Sequence, residues 1–225
     1  MHGTAALTVA TLLLASDLPL TGRIMSGTDN RVELTNTGSQ AITAWNFAVV
    51  TPTATGTHRE VHSADVYLSE VTRGLPQSNE HLDWLGPGQS RALPVDAAPA
   101  GATVHIVAVV LEDGTGLGEP ETVAAFFAHR AAERDELKKV VDTFNAVLQT
   151  THGVAAFEEL QHRFASTAGA EESVPHRSAR EAVDAWLQKA KAGNADDVER
   201  SARSYVAFVT RQHEVAQKHA TRRGG

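Results

Sequence analysis

The run His58-Arg59-Glu60-Val61-His62 carries the sharpest chemical pattern in the chain. In an extended strand residues i, i+2 and i+4 share a face, so His58, Glu60 and His62 present two imidazoles and a carboxylate together. Those groups are ligands for zinc or non-haem iron, and a metal held there would serve a hydrolase or an oxygenase. The order differs from H-E-x-x-H, whose histidines converge only on a helix. The competing reading is a polar stretch leading into a strand. If Ala64, Val66 and Leu68 face a core, an unbroken strand sends His62 inward too, so a metal site there requires a bulge or a loop.

A second candidate is the glycine-rich segment Glu112-Asp113-Gly114-Thr115-Gly116-Leu117-Gly118. Backbone N–H groups in such a loop can cradle an anion. Its spacing matches neither G-x-G-x-x-G nor G-x-x-x-x-G-K-S/T, and two carboxylates at its entrance repel phosphate. A positive φ at Gly114 that turns the chain accounts for the same residues. Calcium at Glu112 and Asp113 lacks the ligand series of an EF-hand. Asp65, Glu80, His81 and Asp83 offer acid–base pairs of a kind common to most proteins, and no G-x-S-x-G elbow is present. His213, Lys218, His219, Arg222 and Arg223 make the C-terminus basic. Helix-end electrostatics explain that cluster more simply than nucleic acid does, given a net charge of −7.

The elements that position these residues divide near Gly118–Pro120. Residues 1–119 hold 5 Lys and Arg against 12 Asp and Glu, whereas residues 120–225 hold 15 of each. Seven of the eight prolines precede residue 121, so composition changes where the charge balance does. Zero cysteines exclude disulfides, thiolate metal sites and a cysteine nucleophile. In the first part, short apolar alternations alternate with turn residues: Leu20–Met25, Val32–Leu34, Ile42–Val50, Val61–Val71, Ser90–Val95 and Thr103–Leu111. Trp45, Phe47 and Val49 alternate with Ala44, Asn46 and Ala48. Val104, Ile106, Ala108 and Val110 are expected on one face of the last strand, opposite His105, Val107, Val109 and Leu111. Apolar residues on both faces mark a central strand covered on both sides. About seven strands at this spacing predict an antiparallel β-sandwich over 18–119.

The second part reads as about four helices forming a bundle over 120–225. Glu121–Thr150 carries Val123, Phe127, Leu137, Val141, Phe144 and Leu148 near helical spacing. Its side bearing Phe126, Phe127, Leu137 and Phe144 is expected to seal one face of the sheets, and its length to carry it beyond them. Thr151-His152-Gly153 stops it. A second helix holds Phe157, Leu160 and Phe164. Ser178-Ala179-Arg180-Glu181 has the form of a capping box opening the third, which places Val183, Trp186, Leu187 and Ala190 inward. Gly193-Asn194 separates it from a fourth, with Val198, Ala202, Tyr205, Val209 and Ala216 at helical spacing.

Three segments, VELTNTGSQAITAWNFAV, LGPGQS and VAVVLEDGTGLGE, run into a helix carrying Arg130. They share an L-x-N-x-G/S strand end, a Pro-Gly turn and an E-D-G-T/S-x-x-G corner. In these features the chain resembles a group of largely uncharacterised exported bacterial proteins with an immunoglobulin-like N-terminal half, over about residues 20–135. The resemblance implies a fold and an exported location, periplasmic or extracellular. It carries no catalytic residue across.

Ala5–Ala15 is an apolar run too short for a membrane-spanning helix. It has the length of a secretory h-region, although Met1–Thr4 lacks Lys and Arg. Alternatively residues 1–17 begin with a strand that places Leu7, Val9 and Leu13 on one face. The expected protein is therefore α+β, an immunoglobulin-like sandwich followed by a helical bundle. Its leading function is non-catalytic binding or assembly at the bacterial cell envelope. The partner is a protein, its own copy or another, with no nucleic acid, cofactor or membrane span. The rivals are a metal-dependent enzyme using His58, Glu60 and His62, and a filament subunit donating residues 5–15 as a strand.

Overall fold

A computed structural model describes residues 18–25, 30–72, 83–96, 99, 101–166 and 172–223. The segment Ala5–Ala15, with both of its readings, lies outside the described residues, as do Glu80 and His81. The elements are β1 (Leu20–Ile24), β2 (Arg31–Asn36), β3 (Ile42–Thr53), β4 (Gly56–Asp65), α1 (Ser69–Thr72), β5 (Ser90–Pro94), β6 (Thr103–Leu111), β7 (Gly116–Gly118), α2 (Pro120–Leu148), α3 (Gly153–Ser166), α4 (Val174–Lys189) and α5 (Ala195–His219). The protein is α+β. Among the described residues seven strands form two antiparallel sheets, ordered β1-β2-β5 and β4-β3-β6-β7.

The four-stranded sheet is covered on both sides, as the apolar character of β6 requires. On one side Trp45, Phe47, Val49 and Val109 meet Leu20, Val32 and Leu34 of the other sheet. On the opposite side Ala44, Ala108 and Val110 receive Val123, Phe126 and Phe127 of α2. Small residues let the helix approach. Gly116 takes this furthest, since an added Cβ there would lie 2.3 Å from a methyl of Val123.

The face assignment expected for β6 is wrong in part. Val104 and Ile106 pack on the core between the sheets, but Ala108 and Val110 face α2. The pairing with β3 shifts between Asn46 and Phe47, so Val107 is the extra residue of a bulge and the alternation restarts beyond it. A second shift, between Ile42 and Ala44, leaves Thr43 beside Ala44 on the α2 side, where its hydroxyl meets Arg130.

Nor does a single strand run from Val61 to Val71. Pairing ends at Asp65, and Val66–Leu68 turn into the one-turn helix α1. The chain needs the turn because the Tyr67 ring is drawn into the helical core.

Gly118 explains how the sheet hands over to the helix. Its φ of 106° lies in the left-handed region, and a Cβ would stand 2.2 Å from the Val107 carbonyl oxygen. Glu119 N–H then donates to that same oxygen at 2.9 Å, and Pro120 opens α2 with a φ already suited to a helix. At 29 residues α2 is about 43 Å long. Its first turns cover the sheet. The remainder does not: Leu137 and Phe144, expected on the sheet, belong with Phe157, Phe164, Val183 and Val209 in the core of the bundle. Trp186 and Tyr205 pack edge-on to Phe144 in that core.

The third helix begins earlier than its capping-box pattern suggests. Ser173 is the cap, accepting from His176 N–H, and Pro175 occupies the first turn, so Ser178 lies inside α4. Gly193, with φ 96°, breaks α4 from α5 within a π-helical turn over Ala190–Asn194. No helix among the described residues is long and apolar enough to cross a membrane.

Candidate functional site

Glu60 and His62 come together on β4, with His62 Nε2 2.5 Å from Glu60 Oε1. No hydrogen bond joins them, so the two groups are close neighbours rather than bonded partners. The Glu60 carboxylate also accepts from Asp96 N–H at 3.1 Å. The bulge or loop that a metal site would require is absent: β3 and β4 pair without a shift from Ala44↔Asp65 to Thr53↔Gly56. His62 faces inward yet stays half-buried, because β4 is the last strand of its sheet and its inner row is only partly covered. The imidazole lies flat on Phe47, with ring centres 4.9 Å apart and planes at 14°. His58 shares the face but is exposed. Among the described residues no three His, Asp or Glu side chains converge where a metal ion would fit.

The glycine-rich segment is a hairpin. Asp113 accepts from Thr115 N–H at 2.8 Å and from Gln40 at 3.1 Å, and Gly114 has φ 87°. The Thr115 N–H holds the Asp113 carboxyl below its usual range. Lys218 and His219 do not simply terminate a helix. Both reach Glu70 of α1, at 2.9 Å each. Asp83 accepts from Ser69 at 3.0 Å and from Trp84 N–H at 2.7 Å, a loop-closing role.

Asp65 meets a residue to which sequence reasoning gave no role. Arg130 is fully buried on α2 and grips both Asp65 oxygens, Nε to Oδ2 at 2.9 Å and Nη2 to Oδ1 at 2.8 Å. Thr43 accepts a further bond at 3.0 Å, and the guanidinium lies 4.7 Å from the Tyr67 ring centre. Tyr67 donates to Glu133 at 2.6 Å, and burial pushes its phenol well above the ordinary range. His219 packs against Tyr67 and Trp84, only 2% exposed. Burial lowers its imidazole, outweighing the Glu70 bond that raises it. Burial also raises Glu70, but the bonds from His219 and Lys218 outweigh that and hold its carboxyl low. Neutral His219 donating to ionised Glu70 satisfies both shifts.

Beside this junction runs a cleft of about 360 Å³ between β3–β4 and the first turns of α2. Asn46, Ser63, Ala64 and Asp65 form one wall, and Thr122, Ala125, Phe126 and His129 the other. No Lys or Arg lines it. Asn46 is only 9% exposed, and no group of the described chain hydrogen-bonds its carboxamide. Ser63, Asp65 and His129 are the residue types of a hydrolytic triad, but no hydrogen bond joins any two of them, and Asp65 is instead paired through both oxygens with Arg130. One signal for Arg130 was present in the sequence: it is a charge at a position of the apolar series Val123, Phe127, Leu137, although Arg134 shares that face. Nothing in the sequence distinguished Asn46 from a solvent-facing strand residue.

Comparison with protein-family models, with curated proteins and with solved structures found no match.

Proposed function

We propose that this chain is a non-catalytic binding protein of the bacterial cell envelope, and that the cleft between β3–β4 and α2 is its binding site. The observation that carries the reading is Asn46. Its carboxamide makes no hydrogen bond with any group of the described chain and lines the cleft, so its donor and acceptor can both meet a ligand there. Ser63 and His129 extend the same polar wall, and Phe126 supplies an apolar surface. Such a mixture of a few convergent polar groups with an aromatic floor is typical of small-molecule sites. The Asp65 charge is neutralised by Arg130, and no cation lines the walls, so the cleft suits a neutral ligand rich in hydroxyl or amide groups. The volume fits about one sugar ring, and an acetamido sugar offers Asn46 both a donor and an acceptor.

The envelope location rests on the resemblance of the first half to exported bacterial proteins and on the apolar run Ala5–Ala15. We read the two sheets as an immunoglobulin-type sandwich in which the fourth strand has moved from beside the fifth to beside the third. The orders β1-β2-β5 and β4-β3-β6-β7 support this, since the constant-type fold sets strands 1, 2, 5 and 4 against 3, 6 and 7.

The test is NMR titration of the full chain with N-acetylglucosamine and glucose, with glucose 6-phosphate as the charged control. The neutral sugars are expected to shift the Asn46 side-chain amide signals with a Kd near ~1 mM. The backbone amide signals of Ser63 and His129 should shift with them, and Asn46→Val should abolish those shifts while leaving the melting temperature unchanged. No perturbation of those signals by either neutral sugar at saturating concentration overturns the reading.

A further inference from the structure

The two sheets end in four edge strands, and one is unlike the rest. β1 and β5 have 5 residues each and β7 has 3, whereas β4 has 10. Short edges, a proline, a bulge or charged side chains are the usual protections against further pairing, and of these β4 has only charges, which a partner of complementary register can answer. β5 ends in Pro94; β4 contains no proline and pairs with β3 without a bulge. Among the described residues nothing pairs with its outer edge. At its centre Val61 is 54% exposed, a β-branched residue on the row that faces away from the core between the sheets.

We propose that a second copy of this chain pairs antiparallel with β4 across a two-fold axis at Val61, joining the two four-stranded sheets into one. The register follows from elementary constraints. Residues opposite one another must lie on the same face of the joined sheet, so the axis must pass through a residue rather than between two. An axis at Arg59 sets two guanidinium groups opposite each other, and an axis at Glu60 does the same to two carboxylates. Like charges directly opposed are destabilising. An axis at His62 opposes two imidazoles and leaves the first turn of the strand unpaired. The axis at Val61 sets valine against valine, each Glu60 against His62 of the second copy, and each Arg59 against Ser63. No like charges meet, and Thr57 to Asp65 are all paired.

The Glu60–His62 proximity within one chain then becomes half of a ring of four groups of alternating character around the axis. That ring gives the His-x-Glu-x-His pattern a role without a metal. Self-complementarity of one patch is the defining property of a two-fold interface. The pairing also brings Arg59 of the second copy beside Ser63, at the mouth of the cleft.

The native chain has no cysteine, so Val61→Cys introduces a single thiol. Opposite residues across a strand pair have Cβ atoms about 5 Å apart, close enough for a disulfide after slight adjustment. Under mild oxidation the full-length Val61→Cys chain is expected to form covalent dimers several-fold faster than Arg59→Cys or Thr57→Cys. These controls lie on the same exposed row but face serine and aspartate of the second copy. Sedimentation of the unmodified chain should give twice the 24.0 kDa mass at about 100 µM, falling to one chain for Val61→Lys with an unchanged circular dichroism spectrum. A native chain that sediments as a monomer at that concentration overturns the proposal. So does a dimer in which the three cysteine variants cross-link at equal rates.

Discussion

Strand β4 gives one carboxylate to each of two pairs, Glu60 with His62 of the same strand and Asp65 with Arg130 of α2, and the pairs have opposite characters. At its end, Asp65 is 9% exposed in its side chain and gripped by a guanidinium that is 0% exposed, with Thr43 and the Tyr67 ring completing the enclosure. At its middle, Glu60 and His62 sit at the sheet edge, 17% and 25% exposed in their side chains. The residue types are similar; the cover differs. α2 lies over the first pair and not over the second. A charge enclosed on all sides by its own chain holds two layers together and is spent on that. A charge left at an edge remains available for something outside the chain.

The largest way to break the contrast is Arg130→Met. It strands the Asp65 carboxylate in the interior and is expected to cost about 3–5 kcal/mol, read from the urea midpoint. Adding Asp65→Leu should recover most of that loss, because a buried ion pair is hard to beat with one half but easy to match with an apolar pair. A double variant as unstable as the single one would mean the guanidinium packs irreplaceably on Tyr67 and Phe127. Next comes Phe127→Ala, which uncovers the sheet beside the same pair and should cost about 3 kcal/mol.

A smaller effect should appear with pH. His219 has a folded pKa below its unfolded value, so the native state binds fewer protons than the unfolded chain just below about pH 6.5. Stability is complete above that pH and declines as pH falls through the interval between the two values. His219→Gln should flatten this limb of a urea-midpoint profile while leaving a further decline at lower pH, where Glu70 protonates. A profile unchanged by the substitution would remove His219 from the cause. Least of all, Glu60→Gln at the edge should change the stability of the isolated chain by under ~1 kcal/mol. A loss comparable to that of Arg130→Met would erase the distinction between the two ends.

Much of the fold was legible because it follows local periodicity. The alternation Trp45-Phe47-Val49, the apolar run of β6 and the spacing of Phe157, Leu160 and Phe164 each point to a face, and those faces are where the cores lie. The errors fell where a tertiary contact overrides the local pattern. Val107 bulges to accommodate Gly118, so β6 changes face midway. Tyr67 leaves the strand direction to enter the bundle. Ser178 has the surroundings of a cap, but Ser173 and Pro175 had already begun the helix. The site was harder still. Asp65, Arg130 and Thr43 are far apart in sequence, and only the packing of α2 on a bulged β3 brings them together.

The last described turn of the chain has a consequence for the order in which this protein can be made. Arg223 N–H donates to the Gly114 carbonyl, and Thr115 and Arg223 form a bridge. The hairpin at Gly114 is thus completed by residues synthesised roughly a hundred positions later, the kind of distant contact that closes slowly. Earlier still, the emerging sheets present Ala44, Ala108 and Val110 to water until the first turns of α2 have left the ribosome. A chain stalled before Arg223 would lack this bridge, leaving the Gly114 hairpin an open seam for proteases and chaperones.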